Sequence, residues 1–407
     1  MVVIIGGGFG GLSAAKALAE APVQIVLIDR SNHHLFQPLL YQVATAGLSP
    51  ADVAKPIRSI LRNQQNAEVI LADVVSISPS TKTIQTHGGT LGYDYLIVAT
   101  GARHSYFGHD EWETHAPGLK TLTDAVDIRR RILVAFEEAE KARDDAERRE
   151  AMTFVVVGGG PTGVEMAGAI AELANFTLKK DFRRIDPSQA RVIIVEAGPR
   201  LLAAFDAKLS DHALKDLQAL HVEVLLGKPL TNLDATHVEV DGKRIGCRTV
   251  VWAAGNKASP LAAMLGEVDR QGRLKINPDL SLPGYPEVQA VGDMVTTVDK
   301  SGRPVPGVSP AAMQAGRHAA ENILRALRGE PALPWEYFDK GSMATIGRHS
   351  AICELGPLKF AGFLAWMAWA FVHLFFLVSF RNRTAVFLQW MWAYFTYAKG
   401  ARIISRS

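Results

Sequence analysis

One glycine-rich turn occurs twice in this chain, and the repeat constrains the fold more than any other feature. The first copy, Gly6-x-Gly8-x-x-Gly11, lies between a β-branched run at 2–5 and an alanine-rich segment at 12–19. The second copy, Gly158-x-Gly160-x-x-Gly163, lies between a similar run at 154–157 and a similar segment at 164–173. Such runs predict buried strands, and the alanine-rich segments predict helices. The chain is therefore predicted to be α/β, with two strand–turn–helix units.

The context of both turns is that of the dinucleotide-binding fingerprint. Its first glycine makes the turn, its second lets a pyrophosphate approach the backbone, and its third lets helix and strand pack closely. The phosphates then meet free N–H groups at the positive end of the helix dipole. Asp29 ends the next predicted strand, about 20 residues on, where the fingerprint places its ribose-binding acid. The alternative is a glycine loop without a ligand, so the turn alone would be weak evidence.

Glu196 takes the corresponding position in the second copy, after a predicted strand at 192–195 and an inserted segment at 175–189. A carboxylate there accepts hydrogen bonds from a ribose 2′-OH and repels a 2′-phosphate, which predicts NADH rather than NADPH. Arg200 lies close in sequence and keeps NADPH open. We predict two Rossmann-like dinucleotide-binding domains on one chain, between which electrons pass.

Composition limits the remaining alternatives. At 407 residues the chain is long enough for two or three domains. A formal net charge of +3, without a dense basic stripe, argues against a nucleic-acid partner. Cys247 and Cys353 lie far apart, outside any C-x-x-C or metal-ligand spacing, so we expect neither a disulfide framework nor a metal. The chain begins directly with a strand, from which we expect no signal peptide and a cytoplasmic location.

Three further markers carry a family resemblance. The first is a predicted strand at 95–98 that is followed by Thr100-Gly101. The second is the run 249–255, which has a similar strand and small-residue ending after the second glycine turn. The third is a later predicted strand that ends in Gly292-Asp293. With the paired turns, these resemble the two-dinucleotide-binding-domain flavoproteins. The resemblance implies FAD at the first turn, with Gly292-Asp293 at the ribityl-phosphate region, and NAD(P)H at the second. It implies a FAD domain at 1–112 and 265–335, an NADH domain at 113–264 and a C-terminal region at 336–407.

The C-terminal 50 residues favour membrane association. The stretch 360–380 is almost wholly apolar, and 384–398 is rich in aromatic residues. No acidic residue follows Glu354, whereas basic residues recur: Lys359, Arg381, Arg383, Lys399, Arg402 and Arg406. About 20 apolar residues can span a bilayer, but spread tryptophans (Trp366, Trp369, Trp390 and Trp392) favour amphipathic helices in the headgroup region. A buried core helix or a dimer interface are the alternatives.

With this tail, the chain resembles the type II NADH:quinone oxidoreductases, which are single-subunit and do not pump protons. The resembling stretches are 36–45, 158–172, 340–347 and 379–383. In that family an A-Q-x-x-x-Q segment lines the quinone site; here Gln314 is kept and Pro310 replaces the first glutamine. Lys340 resembles a flavin-contacting lysine, and Glu165 an acid near nicotinamide and quinone. The alternatives for these two are a surface lysine and a glutamate that complements a helix dipole.

The resemblance implies a ping-pong enzyme in which NADH reduces FAD and a membrane quinone, ubiquinone or menaquinone, reoxidises it. It implies a peripheral protein at the cytoplasmic face of a bacterial inner membrane, and it leaves homodimerisation open. Two alternatives remain at this stage. One is a reductase of the same fold with a soluble acceptor, such as ferredoxin or rubredoxin, and the other is a membrane-bound flavoprotein that senses NADH or binds a partner.

Overall fold

The computed structural model describes residues 1–404. Its strands, in chain order, are β1 (Val2–Ile5), β2 (Ile25–Asp29), β3 (His33–Leu35), β4 (Ala54–Pro56), β5 (Ala67–Leu71), β6 (Val74–Ser78), β7 (Thr83–Thr86), β8 (Gly89–Gly92), β9 (Tyr95–Val98), β10 (Ala102–His104), β11 (Thr153–Val157), β12 (Arg191–Glu196), β13 (Val222–Leu226), β14 (Leu230–Leu233), β15 (His237–Val240), β16 (Lys243–Gly246), β17 (Thr249–Trp252), β18 (Asn256–Ala258), β19 (Leu274–Lys275), β20 (Ser281–Leu282), β21 (Tyr285–Ala290), β22 (Val295–Thr296), β23 (Ser342–Ile346), β24 (Ser350–Leu355) and β25 (Leu358–Gly362).

Its α-helices are α1 (Phe9–Ala17), α2 (Leu40–Ala44), α3 (Pro50–Val53), α4 (Ile57–Leu61), α5 (Leu122–Lys141), α6 (Asp145–Ala151), α7 (Pro161–Glu172), α8 (Ala207–Ala219), α9 (Leu261–Leu265), α10 (Ser309–Leu327), α11 (Phe363–Phe376) and α12 (Phe380–Thr396). A turn of π-helix, Leu173–Thr177, directly follows α7.

The chain divides into two compact units, each made of three segments. The first unit comprises 1–35, 55–103 and 256–340. The second comprises 36–54, 104–255 and 341–407. These bounds differ from the predicted domains chiefly at 36–54 and at the C-terminal region, which belong to the same unit as the second glycine turn. The predicted domain boundaries themselves stay a prediction.

The first unit is built on a six-stranded sheet with the order β20-β21-β9-β1-β2-β5. Its central strands are parallel and fully buried, because both faces are covered by apolar side chains. On one face, α1 packs against α10 at very close range: a Cβ added at Gly316 would lie 2.1 Å from the Gly10 carbonyl oxygen. This close packing fixes α10 beside the first glycine turn.

The second unit repeats the same arrangement around a four-stranded parallel sheet, ordered β13-β12-β11-β17. Its α7 begins directly after the second glycine turn, with Gly160 as the N-cap and Pro161 in the first turn, where proline costs no hydrogen bond. The same unit contains a three-stranded antiparallel sheet, β23-β24-β25, against which α11 packs.

Helix α11 is shorter than the apolar stretch 360–380 that contains it, and α12 begins before the aromatic-rich stretch 384–398. Gly362, with a φ of +82°, precedes α11, which ends at Phe376. Three non-helical residues follow, and α12 begins at Phe380. None of the helices in residues 1–404 combines the length and apolar character needed to cross a bilayer. Arg406, which we counted among the basic residues of the tail, lies outside the described residues.

Candidate functional site

The first glycine turn is fastened to Asp29, the acid that ends β2. One carboxylate oxygen of Asp29 accepts a hydrogen bond from the Gly7 N–H at 2.6 Å, and the other accepts one from the Ser31 N–H at 2.6 Å. The buried His34 is hydrogen-bonded through Nδ1 to the Gly7 carbonyl oxygen at 2.9 Å. The turn and the ribose-binding acid predicted from the sequence are therefore brought together.

The three fingerprint glycines of this turn differ in the space around them. A Cβ at Gly6, whose φ is +100°, would lie 2.4 Å from the Ala99 carbonyl oxygen, and one at Gly11 would lie 1.9 Å from the Gly6 carbonyl oxygen. A Cβ at Gly8 would have no protein atom within 4 Å. Gly6 and Gly11 are thus required by the packing of the protein itself, whereas Gly8 leaves open space at the N-terminus of α1, where a pyrophosphate can meet backbone N–H groups.

The second turn has the same geometry. Glu196 accepts hydrogen bonds from the Gly159 and Gly198 N–H groups, both at 2.6 Å. A Cβ at Gly163 would lie 1.8 Å from the Gly158 carbonyl oxygen, and one at Gly160 would meet nothing within 4 Å. Arg200, because of which the sequence left NADPH as an alternative to NADH, donates hydrogen bonds to Ser210 Oγ and to the Ala203 carbonyl oxygen.

A cavity of about 200 Å³ lies within the first unit beside Gly292 and Asp293. Both residues line it, together with the first turn of α10, and Gly292 has a φ of +80°. Thr100 donates a hydrogen bond to Met294 Sδ at 3.2 Å, and Gly101 has a φ of +65°. Thr100, Gly101, Gly292 and Asp293, which come from two of the three sequence markers, thus belong to one unit with the first turn, whereas the run 249–255 belongs to the second unit.

This arrangement fits FAD. Gly8 leaves room at the α1 N-terminus for a pyrophosphate, Asp29 offers a carboxylate to a ribose, and the cavity at Gly292 and Asp293 belongs to the same unit. The second turn offers a matching place for a second dinucleotide.

Gln314 lies on α10, and both its amide nitrogen and its amide oxygen are hydrogen-bonded. Its Nε2 donates to the Phe338 carbonyl oxygen and its Oε1 accepts from the Phe338 N–H, both at 3.0 Å. The side chain therefore holds the loop that leads to Lys340, which is exposed at the end of the first unit. Pro310 stands in the first turn of α10, where no intrahelical N–H bond is lost.

Glu165, on the first turns of α7, lines a second cavity, of about 110 Å³, within the second unit. Desolvation raises the pKa of its carboxyl to about 8, and a backbone hydrogen bond from Thr345 offsets this only in part. A carboxyl with this pKa is mostly protonated at neutral pH. Because Gln314 and Lys340 belong to the first unit and Glu165 to the second, the three predicted catalytic residues do not come from one unit.

Three charged residues in the walls of the second cavity, Glu172, Arg348 and Lys399, were not predicted as site residues; the sequence indicated Lys399 only as a basic residue of the tail. Glu172 lies about two helical turns beyond Glu165 on α7. It accepts a hydrogen bond from the Arg348 N–H at 2.7 Å, and burial raises the pKa of its carboxyl. Burial lowers the pKa of Lys399, whose Nζ is 3.5 Å from the carbonyl oxygens of Thr45 and Ala169. Arg348 also donates to the Ala393 and Tyr394 carbonyl oxygens at the end of α12.

The tail tryptophans lie differently from the prediction. Trp369 is only 2% exposed and stacks on Trp390, and these two line the second cavity together with Trp366. Of the four tryptophans expected at a lipid headgroup region, Trp392 is the one with a largely exposed ring, at 65%. Lys399, expected to face lipid, is buried in the cavity wall instead. The prediction was wrong for these residues because each helix buries one face against its own unit.

Cys247 and Cys353 are packed thiols. Both are buried and free. Burial raises the pKa of Cys247 to about 12 and that of Cys353 to about 11, so neither thiol forms a thiolate near neutral pH.

Comparisons with known proteins decide the family. Residues 1–316 match the pyridine nucleotide-disulphide oxidoreductase family, and residues 340–396 match the NDH2 C-terminal domain. The type II NADH:quinone oxidoreductase NdhA of Mycobacterium tuberculosis is 48% identical, over 99% of this chain and 89% of that protein. The chain belongs to the type II NADH:quinone oxidoreductases. A second enzyme of this name from M. tuberculosis, Ndh, is 46% identical over 99% of this chain and 90% of its own length.

Solved structures agree on the fold. The structure of NDH2 from Plasmodium falciparum in complex with NADH has a TM-score of 0.89 at 21% identity and covers 99% of both chains. The sulfide:quinone oxidoreductase of Aquifex aeolicus has a TM-score of 0.74 at 19% identity, over 94% of this chain and 91% of that one.

As a member of this family, the protein is an enzyme that oxidises NADH and reduces quinone, with FAD as its cofactor. The predictions of fold class, function, FAD, NADH and quinone are confirmed. Type II NADH dehydrogenases are membrane-associated.

Proposed function

We propose that the quinone ring binds in the cavity beside Glu165 and that Glu165 supplies a proton to it. The cavity is lined by aromatic side chains of the C-terminal helices and by residues of α7, α2 and the β23–β24 turn. Aromatic walls suit a planar quinone ring, since offset or edge contacts between rings are favourable. The single observation that carries the proposal is the position of the Glu165 carboxyl at the wall of this mostly apolar cavity, where desolvation raises its pKa to about 8.

NADH is held at the second glycine turn. The N–H groups at the start of α7 take its pyrophosphate, in the open space that Gly160 leaves. Glu196, fixed by two backbone N–H groups, accepts hydrogen bonds from the ribose hydroxyls and disfavours a 2′-phosphate. NADH is therefore preferred to NADPH.

The first unit holds FAD through Gly6, Gly8, Gly11, Asp29, Thr100, Gly101, Gly292 and Asp293. When bound, FAD accepts a hydride from NADH and passes two electrons to quinone. Gln314 positions the loop that carries Lys340, and Lys340 contacts the cofactor, as the family resemblance implies. Their placement on one unit with the FAD residues supports both roles.

The proton balance is simple. NADH gives up two electrons and one proton as a hydride, and the medium provides the second proton of the quinol. Glu165 transfers its proton to a quinone oxygen as that oxygen gains negative charge, and it then regains a proton from solvent. A proton donor already held at the wall of this mostly apolar cavity needs no reorganisation when it acts.

The exposed face of α11 and α12 anchors the enzyme to the cytoplasmic surface of the membrane. Large apolar side chains are exposed along both helices, including Leu364 and Phe371 at 71%, Phe380 at 83% and Phe395 at 73%. Exposed apolar side chains in such number mark an interaction site, and Arg381 and Arg383 on α12 attract anionic lipid. Homodimerisation stays a prediction.

The test is Glu165→Gln, which keeps the shape of the side chain and removes its acid. Steady-state reduction of a short-chain quinone in detergent should fall at least about 10-fold, because general acid catalysis typically contributes that much or more. NADH oxidation with the soluble acceptor ferricyanide should be retained. Glu138→Gln, at an exposed position on α5, is the matched control and should leave both activities unchanged. Equal quinone activities of Glu165→Gln and wild type would contradict the proposal.

A further inference from the structure

A hydrogen-bond chain runs from α12 to α2 along the wall of the second cavity. The Trp390 indole Nε1–H donates to Gln42 Oε1 at 2.7 Å, and Gln42 Nε2 donates to Tyr41 Oη at 2.9 Å. All three residues line the cavity that also contains Glu165. The chain therefore joins a C-terminal helix to a phenol at the proposed quinone site.

The chemistry of the indole fixes the direction of this chain. An indole nitrogen only donates, so the oxygen of the Gln42 amide must face Trp390 and its NH₂ group must face Tyr41. If the amide were flipped, two N–H groups would oppose each other at Trp390. Trp390 thereby forces Gln42 to act as a donor toward Tyr41.

Since Gln42 donates to it, the Tyr41 hydroxyl cannot direct its own proton at Gln42. Tyr41 is 7% exposed, and in the part of the chain that the structure describes, no protein acceptor for its O–H group is found. A buried hydroxyl without an acceptor destabilises the protein, because its hydrogen bond to water is lost and not replaced. An oxygen atom of a bound ligand in the cavity would remove that cost.

We propose that Tyr41 donates a hydrogen bond to a carbonyl oxygen of the bound quinone, and that Trp390 positions this hydroxyl through Gln42. The inference rests on the proposed function, since it takes the cavity beside Glu165 as the quinone site. Tyr41 is then a catalytic residue that touches the substrate, and Gln42 and Trp390 are positioning residues.

Tyr41 keeps its proton in this role. Burial, with a further contribution from the charge of Glu165, raises the pKa of the phenol well above its ordinary value. The hydroxyl therefore stabilises the negative charge that grows on the quinone oxygen, while the transferred proton comes from Glu165. A donor aimed at developing charge in a dry site acts in the manner of an oxyanion hole.

Tyr41→Phe tests the contact with the removal of one oxygen atom. Flavin reoxidation by a short-chain quinone, followed by stopped flow in detergent, should slow about 100-fold, the typical cost of losing one such donor. Flavin reduction by NADH should keep its wild-type rate. Tyr106→Phe is the matched control: it removes the hydroxyl of another buried tyrosine, which donates to the Ala116 carbonyl oxygen, and reoxidation should keep its wild-type rate.

A double-mutant cycle separates positioning from simple packing. Trp390→Phe frees the Gln42 amide to rotate and should slow reoxidation severalfold in the wild-type background. In the Tyr41→Phe background it should have no further effect, because the hydroxyl that it positions is gone. Equal effects of Trp390→Phe in both backgrounds would show that Trp390 acts by packing, and this would overturn the positioning role.

The same assay distinguishes failure of this inference from failure of the proposed function. If Glu165→Gln slows reoxidation and Tyr41→Phe does not, the cavity is the quinone site and the role of Tyr41 is wrong. If neither variant slows reoxidation, the quinone site lies elsewhere, and the proposed function fails with the inference.

Discussion

The two glycine turns allow a crossed experiment in which each variant removes one dinucleotide. Gly8→Val and Gly160→Val place a side chain where the protein itself has none: a Cβ at either position meets no protein atom within 4 Å. Their φ angles of −70° and −74° suit any residue. Valine is a poorer N-cap than glycine, so each fold should lose only about 1 kcal/mol in free energy of unfolding.

The cost to the ligand should be much larger. A branched side chain at the N-cap keeps the pyrophosphate away from the helix N–H groups, and each charge-assisted hydrogen bond lost costs about 1.5–3 kcal/mol. Two such bonds amount to at least about 3 kcal/mol, or more than about 100-fold in Kd. Gly8→Val should therefore purify without FAD, whereas Gly160→Val should keep FAD and bind NADH weakly.

The assays are the ratio of visible to ultraviolet absorbance of the purified protein and a titration with NADH. Gly11→Ala serves as a contrast, because its Cβ would lie 1.9 Å from the Gly6 carbonyl oxygen and would disrupt the unit itself. A Gly8→Val protein with a full complement of flavin, or a Gly160→Val protein with wild-type NADH affinity, would refute the assignment of the turns.

Three further predictions concern other parts of the enzyme. Glu196→Gln should narrow the preference for NADH over NADPH, measured as the ratio of kcat/KM values, mainly by improving NADPH; an unchanged ratio would place discrimination elsewhere. Leu364→Glu with Phe371→Glu should release the enzyme from anionic vesicles in a flotation assay, whereas the wild type should resist 1 M salt because apolar burial is not screened; salt release of the wild type would contradict the anchor. Quinone reduction should decline as pH rises through about 8, where Glu165 loses its proton, and this decline should be absent in Glu165→Gln; an identical decline in both would assign it to another group.

The dinucleotide sites could be predicted from the sequence, because the glycine turn and the acid of each site lie close together in the chain. A strand, a turn and a helix within about 30 residues fix where the glycines stand, and the acid follows at the end of the next strand. Asp29 and Glu196 accordingly accept hydrogen bonds from the N–H groups of Gly7 and Gly159, each of which lies between the first two fingerprint glycines of its turn.

The second cavity was not readable, because its walls come from three distant segments of the chain. The sequence pointed to Glu165 through a family resemblance, but Tyr41, Gln42 and Lys399 lie in the 36–54 segment and near the C-terminus. Each reads as an ordinary polar residue in its own stretch. One signal was present in the sequence. Gln42 is a polar residue within an apolar segment, and a polar side chain that is buried there needs a hydrogen-bond partner.

The tail illustrates a different limit. Its composition predicted aromatic helices beside a membrane, but composition does not specify which face of a helix packs on the protein. Trp369 and Trp392 both stand in apolar, aromatic-rich stretches, yet Trp369 is buried and Trp392 is exposed. Helix α11 packs on the β23-β24-β25 sheet, and the nearly uniform apolar stretch that forms this helix has no periodicity that would indicate which face does so.

The most direct test of the account is sequential-mixing stopped flow on the holoenzyme and on Glu165→Gln. NADH is mixed first, and the loss of flavin absorbance near 450 nm is followed; a short-chain quinone is then added, and its recovery is followed. The account predicts equal reduction rates for both proteins and much slower recovery in Glu165→Gln. Recovery at the wild-type rate in Glu165→Gln, or slowed reduction with unchanged recovery, would contradict the placement of quinone beside Glu165.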